Sequence, residues 1–227
     1  MRDAIDVGSD QAPLAFRIRD AIDLETPPTI MLHGLGGDER AIWELAPALP
    51  PGGLIVAARA PYLQAGGGYG WLPQIGAWPP KLEEFAESIR ALESLLHYLA
   101  QNHGLERGRL ALLGFSQGAA MAFASLMTTK AGLSIPPAAI AVGAGHLPQG
   151  DLGPLRGVPV FWGHGTRDGL IPVSVARNDA ERLRAAGAQV HYCEADVTHK
   201  LGLACLRELK QWIPVRSADP HKDLLSR

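Results

Sequence analysis

Short apolar segments alternate with helix-periodic segments along most of this chain of 227 residues. Strands that are buried on both faces of a parallel sheet appear as continuous apolar runs closed by glycine or polar residues. The segments that fit strands are 14–19, 29–32, 54–58, 110–113, 138–142, 158–162 and 189–193. The segments that fit helices are 39–49, 81–101, 119–127, 173–186 and 201–212. Strands separated by helices predict an α/β fold, a mostly parallel sheet with helices on both faces.

The domain organisation follows from the same pattern. Residues 1–216 are predicted to form one domain, and residues 217–227 form a polar, aperiodic C-terminal tail. The first strand segment, 14–19, alternates with period two, which predicts a half-exposed strand. Residues 61–80 are irregular and rich in glycine, proline and aromatic residues.

Composition and charge exclude several classes of partner. The chain has 21 Lys and Arg against 23 Asp and Glu, a net charge of -2, and its cations are scattered. Because nucleic-acid binding needs cations clustered on one face, we expect no nucleic-acid partner. No apolar run reaches the length of a membrane span or a signal peptide, so we predict a cytoplasmic protein without a membrane span. The sequence specifies no oligomeric state, and a homodimer stays open beside a monomer.

The two cysteines, Cys193 and Cys205, have neither metal-binding nor redox spacing. We expect both to be small apolar packing residues in a reducing compartment. No pair of histidines has helical ligand spacing with an adjacent acid, so we predict no metal site.

The sequence Gly114-Phe115-Ser116-Gln117-Gly118 lies between a predicted strand and a small-residue helix. A nucleophilic serine on a sharp strand-to-helix turn needs small residues two positions before and two positions after it, because the backbone there crowds its neighbours. The context therefore predicts Ser116 as a nucleophile, although a glycine-rich turn with a capping serine would produce the same five letters.

A serine nucleophile requires a base and a group that orients the base. Asp168 follows the strand at 158–162, whereas Asp151 precedes that strand and Asp196 lies three residues before the best histidine. His199 follows the last strand and precedes the last helix, so it lies in a loop at the predicted edge of the sheet. We predict Asp168 and His199 as the partners of Ser116, in the chain order typical of this arrangement.

Two further sets of residues complete the predicted site. The backbone N–H groups of Leu35, in the glycine-rich loop 33–37, and of Gln117 are expected to bind the oxyanion of the attacked carbonyl. The apolar segment 61–80 includes Trp71 and Leu72, which we expect to bind substrate as a wall of the acyl pocket. The alternative for this segment is a loop that closes the edge of the core without contacting substrate.

The runs at 33–39, 114–119 and 163–168, together with the late His199, resemble the phospholipase/carboxylesterase family of α/β-hydrolases. The resemblance spans about residues 28–212. It implies the α/β-hydrolase fold without a large lid domain, hydrolysis of esters or thioesters, and no cofactor. It places the triad on Ser116, Asp168 and His199. Members of the family usually carry glycine before the catalytic histidine, where this chain has Thr198.

Three hypotheses for the function follow from this pattern. The first is a serine carboxylesterase that acts on short- to medium-chain esters of small molecules. The second is an acyl-thioesterase or lysophospholipase, because esters and thioesters are cleaved by the same triad. The third, from another class, is a non-catalytic ligand-binding protein on the same scaffold, which retention of all three triad residues disfavours.

Overall fold

The computed structural model describes residues 4–74, 76–127, 132–151 and 153–216, and the predicted tail at 217–227 lies outside them. The strands are β1 (Ile5–Val7), β2 (Phe16–Arg19), β3 (Thr29–Leu32), β4 (Ile55–Ala58), β5 (Tyr62–Leu63), β6 (Tyr69–Gly70), β7 (Ala111–Phe115), β8 (Ala139–Gly143), β9 (Pro159–Gly165) and β10 (Gln189–Ala195). The α-helices are α1 (Glu39–Trp43), α2 (Ala86–His103), α3 (Gln117–Met127), α4 (Val173–Ala185) and α5 (Leu203–Arg216). Short 3₁₀ helices lie at Ala46–Ala48, Leu82–Phe85 and Arg107–Arg109.

One sheet contains eight of these strands, in the spatial order β1-β2-β4-β3-β7-β8-β9-β10. The pairs β1–β2 and β2–β4 are antiparallel, and every other neighbouring pair in this sheet is parallel. The predicted mostly parallel sheet is confirmed. Because parallel strands end at the same edge, the loops that follow β3, β7, β8, β9 and β10 lie together at the carboxyl edge, where α/β sheets bind their ligands.

The two faces of the sheet carry separate apolar clusters. In β3, Ile30 and Leu32 belong to the cluster that includes α2, α3 and α4, whereas Met31 belongs to the cluster that includes α1 and α5. Alternate residues of a strand point to opposite faces, so a continuous apolar run fills both clusters at once. This confirms the prediction of helices on both faces of an α/β-hydrolase fold.

Local elements differ from the predictions at two places. Strand β2 is predicted half-exposed but is mostly buried, because Phe16 and Ile18 belong to the cluster that includes α2 and because Arg19 is buried on the opposite face. The predicted helix at 39–49 begins as expected, with the Asp38 carboxylate accepting from the N–H groups of Arg40 and Ala41. Its α-helical part ends at Trp43, and a 3₁₀ turn with a proline in its first turn takes over.

The expectation of two free cysteines is wrong. Cys193 in β10 and Cys205 in α5 form a disulfide with their Cα atoms 5.7 Å apart. The two residues are separated by 12 positions in the sequence, which resembles no redox motif. Packing of α5 against β10 brings them together, and a spacing pattern contains no information on that packing.

Segments outside the main sheet are short. Among the described residues of 61–80, the regular structure is limited to the two-residue strands β5 and β6, and no large lid domain covers the carboxyl edge. Within the described ranges, none of the helices combines the length and apolarity needed to cross a membrane.

Candidate active site

Ser116 lies at the carboxyl edge of the sheet, between the last residue of β7 and the first residue of α3. Its φ of 53° is in the left-handed region, which a residue with a Cβ seldom adopts unless its surroundings enforce it. The Ser116 N–H donates to Gly143 O at 3.0 Å, and Ser116 O accepts from the Ala119 N–H at 2.9 Å. The backbone therefore holds Ser116 on the predicted sharp turn.

Two close backbone approaches require the glycines on either side of Ser116. A Cβ on Gly114 would lie 2.3 Å from Gly118 O, and a Cβ on Gly118 would lie 2.1 Å from Leu32 O. A side chain at either position would push α3 away from β3 and β7. The G-x-S-x-G pattern thus reflects the tight packing of the turn in addition to its φ angle.

The structure brings Asp168 and His199 into direct contact. His199 Nδ1 lies 2.8 Å from Asp168 Oδ2, and the other carboxylate oxygen, Oδ1, accepts from the N–H groups of Leu170 at 2.9 Å and Ile171 at 3.0 Å. The Asp168 side chain is fully buried, while that of His199 is 19% exposed. The carboxylate is thus fixed by the backbone on one side and is free to orient the imidazole on the other.

The environment of Asp168 favours its charged form. Burial alone would raise the pKa of this carboxyl, but hydrogen bonds from Ile171, His199 and Leu170 outweigh burial and lower the pKa below its ordinary value. The carboxylate therefore remains ionised at neutral pH and can accept the Nδ1–H of the imidazole.

The loops that carry these two residues are joined through their backbones. The Thr166 N–H donates to Ala195 O at 2.9 Å, and the Arg167 N–H donates to Val197 O at 3.0 Å. A Cβ on Gly165 would lie 2.1 Å from the carbonyl oxygen of Thr198, the residue that replaces the usual glycine before the histidine. The two loops are therefore packed directly against each other.

His199 faces the serine turn through Phe115, whose ring meets the imidazole edge-on with the centroids 5.2 Å apart. The competing acids lie elsewhere. Asp196 is 79% exposed and pairs with Arg167, and Asp151 accepts from the Gly153 N–H on the surface. Of the three candidate acids, the structure brings only Asp168 to His199.

Leu35 and Gln117 approach the serine from different elements. Across the described ranges, the N–H groups of Leu35 and Gln117 donate to no protein acceptor, so they are open to a ligand. A Cβ on Gly34 would lie only 3.2 Å from the Cβ of Ser116, which shows how closely the loop after β3 approaches the serine. The neighbouring His33 is buried and holds this loop, a role that the sequence analysis did not identify.

The chain is similar in sequence to one family of known proteins. The sequence matches the phospholipase/carboxylesterase family over residues 15–216. The chain belongs to the phospholipase/carboxylesterase family. Acyl-protein thioesterase 1 of the yeast Debaryomyces hansenii is 28% identical over 178 residues, which cover 70% of this chain and 76% of the thioesterase.

Solved structures show the same fold. The carboxylesterase of Bacillus cereus superposes with a TM-score of 0.80 at 20% identity, covering 92% of this chain and 97% of its own. The carboxylesterase of Mesorhizobium loti also gives a TM-score of 0.80 at 20% identity, with 93% and 99% covered. The predicted resemblance to this family is confirmed.

In this phospholipase/carboxylesterase family member, a cavity of about 490 Å³ opens beside the serine turn. Most of its wall is apolar, and Glu44 and Lys200 supply its charged side chains. The lining residues are His33, Gly34, Leu35, Gly37, Ala41, Ile42, Glu44, Leu45, Phe115, Lys200, Leu201 and Leu206. The cavity therefore lies between α1 and α5, bounded by the loop of Leu35 and by the residues that follow His199.

Trp71 and Leu72, predicted to bind substrate, do not line this cavity. Trp71 is completely buried and Leu72 is 4% exposed, and both belong to the core cluster of α2, α3 and α4. Their burial favours the alternative that the sequence left open, a segment that closes the edge of the core.

His164 is a further histidine beside the acid. Its buried Nε2 lies 2.9 Å from Ile171 O and 3.4 Å from Asp168 Oδ2, so it supports the turn that carries the carboxylate. In the described part of the chain, no group of three or more His, Cys, Asp and Glu side chains is arranged to hold a metal ion.

Proposed function

We propose that this chain is a serine carboxylesterase that hydrolyses short- to medium-chain carboxylic esters through an acyl-enzyme intermediate. The observation that carries the proposal is the 2.8 Å contact between His199 and the buried Asp168, at the sheet edge that also holds the positive-φ Ser116. The family to which the chain belongs supports a hydrolase.

In the first half of the reaction, the Ser116 Oγ attacks the ester carbonyl while His199 Nε2 accepts the hydroxyl proton. The imidazole then donates this proton to the oxygen of the leaving alcohol as the carbon–oxygen bond breaks. In the second half, His199 takes a proton from water as the water oxygen attacks the acyl-enzyme, and the imidazolium then returns this proton to Ser116 Oγ as the bond between Oγ and the acyl carbon breaks. Asp168 keeps Nδ1 protonated and stabilises the imidazolium in both halves.

The negative charge on the attacked carbonyl requires donors that are already in place. We assign this role to the Leu35 and Gln117 N–H groups, which have no acceptor among the described residues and which belong to segments beside Ser116. Loss of one such donor in other hydrolases costs about 10²- to 10³-fold in kcat.

The size of the substrate follows from the cavity between α1 and α5. A volume of about 490 Å³ lies within the range of small-molecule sites, and its apolar wall suits an alkyl arm of the ester. With no large lid over the described part of the carboxyl edge, the cavity has little wall with which to enclose a long chain. Leu45 and Leu206, which line this cavity and are partly exposed, therefore replace Trp71 and Leu72 as our proposed substrate contacts.

An acyl-thioesterase is the second candidate, because the Debaryomyces hansenii relative carries that name. A lysophospholipase would use the same three residues. These activities differ from the first in the leaving group and in the length of the acyl chain, so they are distinguished by substrate and not by the geometry of the triad.

A substrate panel tests the proposal. We expect kcat/KM for aryl esters to peak between acetate and octanoate, to exceed that for the matched acyl thioesters, and to fall about 10³-fold or more in Ser116→Ala. Higher activity on thioesters would make the second candidate the function. Tight binding of an ester with no turnover, equal in the wild type and in Ser116→Ala, would indicate a non-catalytic ligand-binding protein.

A further inference from the structure

The segment of residues 62–72, which we term the arm, binds the loop that carries Leu35. The Gly36 N–H donates to Tyr69 O and the Tyr69 N–H donates to Gly37 O, each at 2.8 Å. A Cβ on Gly68 would lie 1.9 Å from Gly36 O, so the two backbones are in close contact. The arm therefore holds the loop immediately after Leu35.

Trp71, at the end of the arm, hydrogen-bonds to both sides of the site. Its indole Nε1–H donates to His33 O, and its backbone N–H donates to the Gln117 side-chain Oε1, each at 2.8 Å. Its carbonyl oxygen accepts from Ser88 Oγ at 2.6 Å, which anchors the residue on α2. Trp71 is therefore hydrogen-bonded both to His33, which lies two residues before Leu35, and to Gln117 itself.

We propose that Trp71 is a positioning residue that sets the distance between the two oxyanion donors, the N–H groups of Leu35 and Gln117. These donors belong to the loop after β3 and to the first turn of α3, so covalent geometry alone does not fix their separation. An oxyanion hole acts only when its donors lie about 2.7–3.1 Å from the developing charge, and small displacements weaken it. The inference rests on the proposed function, because it assigns Trp71 a part in that reaction.

This role differs from that of a substrate wall in a measurable way. Trp71 is completely buried, so its side chain offers no surface to a substrate chain. A residue that positions the donors affects the transition state equally for every acyl chain, whereas a wall residue affects longer chains more.

The test is Trp71→Phe, which removes the indole N–H and keeps an aromatic ring and the backbone N–H. We expect kcat to fall about 10-fold on both acetate and octanoate esters, with KM changed less than about twofold. The inhibition constant of an alkyl trifluoromethyl ketone, whose adduct with serine carries an oxyanion, should weaken by the same factor. Gln117→Met removes the side-chain acceptor of the Trp71 backbone N–H. It should also lower kcat and weaken the binding of the ketone.

Trp162→Phe is the matched control. Trp162 is also completely buried, and its Nε1 has no hydrogen-bond partner, so its loss removes a buried indole without removing a bond. We expect its kcat and its trifluoromethyl ketone affinity to match those of the wild type at temperatures where all variants are folded.

Three outcomes would overturn the inference. Wild-type kcat and ketone affinity in both Trp71→Phe and Gln117→Met would show a purely structural role. A larger loss on octanoate than on acetate would return Trp71 to the acyl pocket. A wild-type protein that neither hydrolyses esters nor binds the ketone would contradict the proposed function, and this inference with it.

Discussion

At the scale of single residues, the two oxygens of Asp168 have different partners. Oδ1 accepts two backbone N–H groups, and Oδ2 faces His199 Nδ1. In Asp168→Asn, an amide oxygen can replace Oδ1, but the amide nitrogen cannot accept the Nδ1–H. We therefore expect a folded variant whose kcat/KM on a short ester is about 10²- to 10⁴-fold lower, because the imidazole is held in the wrong tautomer.

Asp196→Asn is the control for this substitution. Asp196 is exposed and its pairing with Arg167 lies at the surface, where ion pairs contribute little. Its kcat/KM should stay within about threefold of the wild type. If Asp196→Asn were the slow variant and Asp168→Asn the active one, Asp168 would not orient His199.

His33 is a residue whose neutral form the fold requires. The Ala60 N–H donates to Nε2 at 3.0 Å, so Nε2 carries no proton, and Nδ1 contacts Gly34 O at 2.7 Å. Burial lowers the pKa of His33, against the opposing effect of the Gly34 hydrogen bond. Burial likewise lowers the pKa of His146, so protonation of either histidine favours the unfolded state.

This difference in pKa predicts how stability depends on pH. An unfolded histidine binds a proton near pH 6.5, whereas folded His33 binds it only at lower pH, so the unfolded state holds more protons in between. The free energy of unfolding should therefore be highest above about pH 7 and decrease as the pH falls through about 6.5. Urea titrations from pH 8 to pH 5.5 should show a shallower decrease for His33→Gln.

His146→Gln should also show a shallower decrease, because burial lowers the pKa of His146 as well. A His33→Gln slope equal to that of the wild type would contradict the account of a buried neutral imidazole.

At the scale of secondary-structure elements, the disulfide joins β10 to α5 at the base of the loop that carries His199. Closing a loop of this size removes entropy from the unfolded chain, which is expected to stabilise the fold by about 3 kcal/mol. Cys205→Ala, compared with the oxidised wild type by urea denaturation, should lose about that much. Protein folded under oxidising conditions should show no reactive thiol in denaturant.

Two reactive thiols in that experiment would contradict the disulfide and restore the sequence-based expectation. The disulfide itself is typical of oxidising compartments, so it does not support the predicted reducing environment. Whether two cysteines form a disulfide depends on the compartment, and a sequence with only two cysteines specifies neither the pairing nor the compartment.

The elements that the sequence predicted well are those in which one local property dominates. Strand β3 matches its predicted range because its four consecutive residues, three of them apolar, are all buried on the two faces of a central strand. Strand β1 was not predicted, because its three residues are largely exposed and owe their conformation to pairing with β2. The end of α1 at Trp43 also depends on tertiary packing and on a proline nearby.

At the scale of the whole molecule, the order of the residues along the chain was enough to predict the Asp168–His199 contact. Each residue follows a parallel strand, and parallel strands end at one edge of the sheet. The role of Trp71 could not be predicted in this way. Hydrophobicity indicates that an apolar segment must be buried, but it does not distinguish burial beneath the site from burial against a substrate.

The central claim concerns Ser116, and covalent labelling tests it most directly. A fluorophosphonate probe should add once per chain, as measured by intact mass, and peptide mapping should place the adduct on Ser116. The labelling should disappear in Ser116→Ala, and it should be much slower in Asp168→Asn, since the probe needs the same activated hydroxyl. An adduct at another residue, or undiminished labelling in Ser116→Ala, would contradict the account.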